Sequence, residues 1–235
     1  MKRQEFLEGI RDGIPICLGY FSVSMAFGLT AVLSGLPIWA AVVISLTNLT
    51  SAGQFAGMNL IAAQGALVEI GLTTLIINLR YFLMSISLSQ KVEQKMSIKE
   101  RLMVSFGITD EIFAVSMKRD HEVTTAYMMG LMLTPIVGWT SGTFVGAVAT
   151  SFMPEVLSHA LGIALYGMFI AVIVPPAREH KNVLFAVLLS IGASVAFKYL
   201  PILNHLSDGW TIILITMVVC VIAAWLFPVE EGEDE

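Results

Sequence analysis

Six stretches of about 20 predominantly apolar residues, the length an α-helix needs to cross a bilayer, limit what this chain can fold into: 13–34, 66–89, 126–150, 156–175, 183–200 and 209–227. Composition agrees, since 56% of the residues are apolar and 13% are charged, against roughly 25% charged in soluble chains. That is too little polar surface to cover a globule in water, so lipid must be the solvent. The net charge of −5 matches the acidic end, Glu230, Glu231, Glu233, Asp234 and Glu235. No basic patch of the kind nucleic acid requires is left. Residues 1–12 are polar and mixed in charge, unlike a signal peptide, and are expected to be a cytoplasmic N-terminus. The chain reads as one membrane domain, 1–235, with 229–235 as an acidic tail.

Two segments depart from the simple pattern. Segment 37–64 carries Thr47-Asn48-Leu49-Thr50-Ser51-Ala52-Gly53-Gln54 between two apolar halves. Such polar backbone survives at membrane depth only where protein or a water-filled cavity surrounds it, so a broken or re-entrant second element is expected. Segment 102–117 is short and holds Asp110 and Glu111 at its middle, as a dipping segment or a short buried helix. Of the 13 basic residues, all but Arg80 and Lys198 fall in four clusters: Lys2, Arg3 and Arg11; Lys91, Lys95, Lys99 and Arg101; Lys118 and Arg119; Arg178 and Lys181. If 37–64 enters and leaves on one side, all four clusters lie on the cytoplasmic face, as the positive-inside rule asks. Gly19-Tyr20-Phe21-Ser22, Gly28 and Pro37 are echoed by Gly138-Trp139-Thr140-Ser141, Gly146 and Pro154. The echo suggests two related halves about a midplane, an inverted repeat being a common plan in secondary transporters. The fold class is therefore an all-α polytopic membrane protein with six to seven transmembrane helices, a broken second element and an inverted repeat.

Few residues can carry chemistry. Arg80 lies deep within its segment, where a charge costs about 2.5–3.5 kcal/mol on the lenient insertion scale, so it needs a partner: a substrate carboxylate or a membrane-buried acid. Asp110 and Glu111 are the candidate acids and the candidate proton-exchanging groups; neighbours on a helix point about 100° apart, so one of the two is expected to face the site. Free N–H groups at a helix start favour an anion, which makes Gly53 and Gln54 candidates for a substrate carboxylate, with Asn78 assisting Arg80. The bland alternatives are an ion pair that fixes packing, solvated acids in a loop, and small-residue packing through Gly53 and Gly57. The 13 methionines and 13 phenylalanines read as lipid-facing or packing residues, with some expected around the substrate's side chain. Cys17 and Cys220 sit in apolar runs without metal-ligand spacing, no histidine pair has it either, and no nucleophile constellation or phosphate loop exists. No catalytic residue, metal or cofactor is expected, and the chain is not expected to be an enzyme.

Three patterns in this order, Ser51-Ala52-Gly53-Gln54, Asn78-Leu79-Arg80-Tyr81 followed by Ser85 and Ser87-Leu88, and Thr109-Asp110-Glu111 followed by Phe113-Ala114, come after Gly13-Ile14-Pro15 and Phe27-Gly28. Together they resemble the AzlC-type branched-chain amino acid permease family over the first 120 residues. The resemblance implies the large subunit of a bacterial inner-membrane exporter of leucine, isoleucine and valine, driven by the proton gradient and paired with a small hydrophobic AzlD-type subunit. It carries Gly53, Gln54, Asn78, Arg80, Asp110 and Glu111 as motif positions. Ile14-Pro15-Ile16-Cys17 and Tyr20-Phe21-Ser22-Val23 are less typical of the family and bear on substrate choice. The alternative from another class is a non-transporting membrane subunit that assembles or stabilises a small partner.

Overall fold

The computed structural model describes residues 2–152, 170, 173–200 and 206–228. Among them, five helices are long and apolar enough to cross a membrane: α1 (Lys2–Leu33), α4 (Leu67–Ser89), α7 (Thr125–Ala149), α8 (Lys181–Tyr199) and α9 (Asp208–Leu226). Most of the expected span 156–175 falls outside the described residues, as does the acidic tail. The first helix begins eleven residues earlier than its apolar stretch. Glu5, Glu8 and Asp12 do not break it because each finds a partner at the approach to α7: Thr124, Arg119 and Tyr127.

α1 and α7 pack side by side along almost their whole lengths through glycines. Gly130 lies on the backbone of Phe6, Gly138 on Cys17, Gly142 on Phe21 and Gly146 on Met25, while Gly28 lies on Thr143. Position numbers rise together, so the two helices run parallel. Small residues permit this approach, as they do wherever membrane helices lack a hydrophobic drive to associate.

Segment 37–64 is a half-depth hairpin. α2 (Ile38–Thr47) and α3 (Ser51–Ala62) both pack against the C-terminal part of α1, with Ala41, Phe55 and Met58 clustered on Phe27, Ala31 and Leu36. The break between them sits deeper, where Leu49 joins Ile16 and Tyr20. Its polar groups are met internally: Asn48 Oδ1 accepts from the Thr50 amide at 3.1 Å and the Thr50 hydroxyl at 2.7 Å, and Asn78 Nδ2 donates to Thr50 Oγ1 at 3.3 Å. This is the re-entrant form of the two the sequence allowed.

Segment 102–117 is not one short element either. α5 (Ile98–Phe106) and α6 (Asp110–Met117) form a second half-depth hairpin, entering from the opposite end. Ser97 and Glu100 close a capping box at the start of α5, and the Ser97 hydrogen bonds hold the Glu100 carboxyl below the usual carboxylate range. Gly107, pressed on Met132, turns the chain at depth, and Thr109 then caps α6 by accepting from the Ile112 amide. The hairpin returns so that Ser116 meets Met128 and Arg119 meets Glu8. Asp110 and Glu111 therefore begin a helix at the apex of a hairpin rather than lying at the middle of one.

The inverted repeat relates a different pair of segments from those in the sequence echo. α1 and α7 are parallel, whereas equivalents in an inverted repeat run antiparallel. The antiparallel relation holds between α1–α3 and α4–α6: each is a crossing helix followed by a half-depth hairpin, and the second unit is upside down relative to the first. Leu18, Tyr20, Phe21 and Ser24 recur in spacing as Leu79, Tyr81, Phe82 and Ser85, and Thr50 and Thr109 are each the residue that opens a return half-helix.

The basic clusters share one end of the bundle. Arg119 reaches Glu8, Lys91 Nζ donates to the Met117 carbonyl, and Glu93 accepts from Thr125. At the opposite end, buried Glu69 of α4 accepts from Ser207 and from the Gly209 amide at the start of α9. α9 then runs back so that Phe227 meets Phe185, which sets the start of α8, with Arg178 and Lys181, at the basic end. α8 buries none of its residues, as a helix facing lipid would.

Candidate functional site

The two hairpin apices meet at one cavity of about 510 Å³, inside the range of small-molecule sites. Pro15, Ile16, Gly19, Tyr20 and Val23 come from α1, Leu49 from the first break, Ser51 and Ala52 from the start of α3, Arg80 and Tyr81 from α4, Asp110 and Glu111 from the start of α6, and Trp139 from α7. Among the described residues, the three charged ones come from α4 and α6. The apolar wall comes from α1, the first break and α7.

Arg80 Nη1 lies 2.8 Å from Asp110 Oδ2, and Nη2 donates to Tyr81 Oη at 3.0 Å. Both partners of the ion pair keep some 40% of their side-chain surface open, so the pair borders the cavity instead of being sealed in the core. Tyr20 is almost fully buried and donates to Glu111 Oε2 at 2.5 Å. Asp110 and Glu111 thus both face the cavity, where one was expected. They occupy the first turn of α6 at a hairpin tip, so Arg80 of α4 draws one carboxylate and Tyr20 of α1 draws the other. Carboxylates here also complement the positive end of the α6 dipole.

Gly53, Gln54 and Asn78 lie beside the cavity and do not line it. Ser51 and Ala52 stand where the broken segment opens on the site, at a helix start that has no side-chain cap. Gln54 is 1% exposed, and its amide is engaged at both ends: Nε2 donates to Ser45 Oγ at 2.5 Å and Oε1 accepts from Trp139 Nε1 at 2.8 Å. Ser45 is in turn bonded to Thr143 at 2.7 Å. Gly53 is packed on Asn78, where a Cβ would fall 2.8 Å from Nδ2, so its lack of a side chain lets α4 brace the break. Among the described residues, the apolar wall holds no methionine or phenylalanine; Ile16, Val23, Leu49, Tyr20 and Trp139 take that place. The sequence reading missed Tyr20 and Trp139 as site residues. Tyr20 stood in the passage that departs from the family pattern, and Trp139 in the echo.

Comparison with known proteins places this arrangement. Residues 15–153 match the family described as AzlC protein, a span that contains every cavity-lining residue, while α8 and α9 lie beyond it. Inner membrane protein YgaZ of Escherichia coli (strain K12) is 26% identical over 84% of this chain and 84% of its own. An uncharacterized membrane protein of Archaeoglobus fulgidus is 28% identical over 88% of this chain and 90% of its own, and one from Helicobacter pylori (strain 26695) is 24% identical over 95% and 96%. No solved structure matches the chain. With its helical spans and the match across α1 to α7, this chain belongs to the AzlC family of membrane proteins.

Proposed function

We propose that the chain is a secondary transporter that exports branched-chain and related apolar amino acids across a bacterial inner membrane in exchange for protons. In this reading it is the large subunit of a two-component permease, with a small hydrophobic AzlD-type membrane protein as its partner. The N-terminus and the basic end of the bundle lie in the cytoplasm, by the positive-inside rule. The observation that carries the reading is the convergence of one guanidinium and two carboxylates on a cavity whose other wall is aliphatic and aromatic. That is the chemistry of a zwitterion with an apolar side chain.

The substrate carboxylate competes with Asp110 for Arg80 and takes support from the uncapped start of α3, where Ser51 and Ala52 border the cavity. Displaced from Arg80, Asp110 holds the ammonium group, together with Glu111. The side chain lies against Ile16, Val23 and Leu49. A proton arriving from outside at either carboxylate cancels the charge that holds the ammonium, which favours release; loss of that proton to the cytoplasm resets the site. Gln54 and Asn78 act by holding the two walls in place, through Trp139 and the first break respectively.

Inverted vesicles carrying the full chain, with and without the small partner, test this by accumulation of labelled leucine under an imposed proton gradient. Arg80→Ala and Asp110→Asn variants that insert normally are expected to lose transport by tenfold or more. Transport at parental rates in both would refute the site.

A further inference from the structure

We infer that Trp139 and Gly19 set the largest side chain the cavity accepts, Trp139 as a fixed wall and Gly19 as the space left open. The inference rests on the amino-acid reading above and adds the residues that measure the side chain. Trp139 is 1% exposed, yet it borders the cavity. Its indole N–H is tied to Gln54, Gln54 to Ser45, and Ser45 to Thr143, so residues of α7, α3 and α2 hold one edge. Its ring also meets that of Tyr20 edge-on, with centroids 5.2 Å apart and planes at 66°. Tyr20 is itself anchored on Glu111. An indole gripped at its N–H and against a neighbouring ring cannot swing aside for a larger ligand, because any rotation strands a buried amide.

Gly19 borders the same cavity, and a Cβ built there meets no atom within 4 Å. This contrasts with Gly9, Gly13 and Gly28 on the same helix, where the added atom would strike the backbone or side chains of α7. A side chain at position 19 therefore takes volume from the site without disturbing the seam. In an apolar pocket one methylene more or less changes selection by about 10- to 200-fold, so a single methyl at Gly19 is enough to read.

The test uses the purified full-length chain in detergent, alone and together with the small partner, with labelled leucine displaced by alanine, leucine or phenylalanine; a result counts as no binding only when it holds in both. Gly19→Ala is expected to shift the affinity ratio about tenfold towards alanine and away from leucine, and Gly19→Leu to abolish leucine binding. Trp139→Phe, which shortens the wall, is expected to shift the ratio towards phenylalanine. If the parent binds leucine and neither Gly19→Ala nor Trp139→Phe alters the order of preference, the sizing role is wrong and the amino-acid reading stands. If the parent binds none of the three, both fail. Should Trp139→Phe not fold, Gly19→Ala decides alone, since its added methyl touches nothing.

Discussion

The α1–α7 seam makes a strong demand on single atoms. A Cβ added at Gly146 would sit 2.0 Å from the Met25 carbonyl oxygen, where ordinary contact begins at 3.4 Å. The helices must part there by about 1.4 Å, since the obstacle is backbone and has no rotamer to change. A gap of 0.5–1 Å already forfeits a quarter to a half of a van der Waals well, so contacts around Gly146 lose at least that. Overpacking of this kind costs about 1–3 kcal/mol, a fall of roughly 5- to 150-fold in the folded-to-unfolded ratio. Gly71 of α4 and Gly192 of α8 provide the control, because a Cβ at either meets nothing within 4 Å. Alanine there removes glycine's conformational freedom and is worth about 0.5–1 kcal/mol in the helix's favour. Thermal denaturation in detergent, followed by loss of the monodisperse peak, is expected to rank Gly146→Ala below the parent and Gly71→Ala and Gly192→Ala at or above it. A Gly146→Ala protein as stable as Gly71→Ala would refute the close parallel packing of α1 and α7.

Gln54→Leu leaves the Trp139 indole N–H buried without an acceptor, so it is expected to destabilise the protein by about 1–3 kcal/mol, measured by the same denaturation. In a background lacking Cys17 and Cys220, Gly35→Cys and Gln64→Cys flank the first hairpin and are expected to react with an impermeant maleimide from one side of the membrane. Lys95→Cys and His121→Cys flank the second and are expected to react from the other; labelling of Gly35→Cys and Gln64→Cys from opposite faces would make segment 37–64 a crossing.

The sequence by itself determined the solvent, five of the six expected spans and the depth of the charges. Runs of 20 apolar residues admit few solutions in lipid, because every backbone polar group must be paired within the protein. The same rule made the polar stretch around Thr50 legible as a break and made Arg80 legible as a residue that needs an acid. Which acid, and on which side of which helix, was decided by tertiary structure. Asp110 and Glu111 are adjacent in sequence, and local periodicity separates them; only the return of the chain at Gly107 places both at one hairpin tip, between Arg80 of α4 and Tyr20 of α1. Gln54 stood beside the broken backbone and read as a ligand through its N–H, but that N–H donates to the Thr50 carbonyl, and its side-chain amide is spent on Trp139, 85 positions away, and on Ser45. The repeat was sought between the segments most alike in sequence, which the fold sets parallel, while the inverted units, α1–α3 and α4–α6, share little more than a leucine, a tyrosine-phenylalanine pair and a serine at one spacing and a threonine at the start of the return half-helix. Lipid constrains composition strongly and identity weakly, so burial depth is written along the chain, whereas the partners of a buried polar group are fixed only when distant helices are brought together.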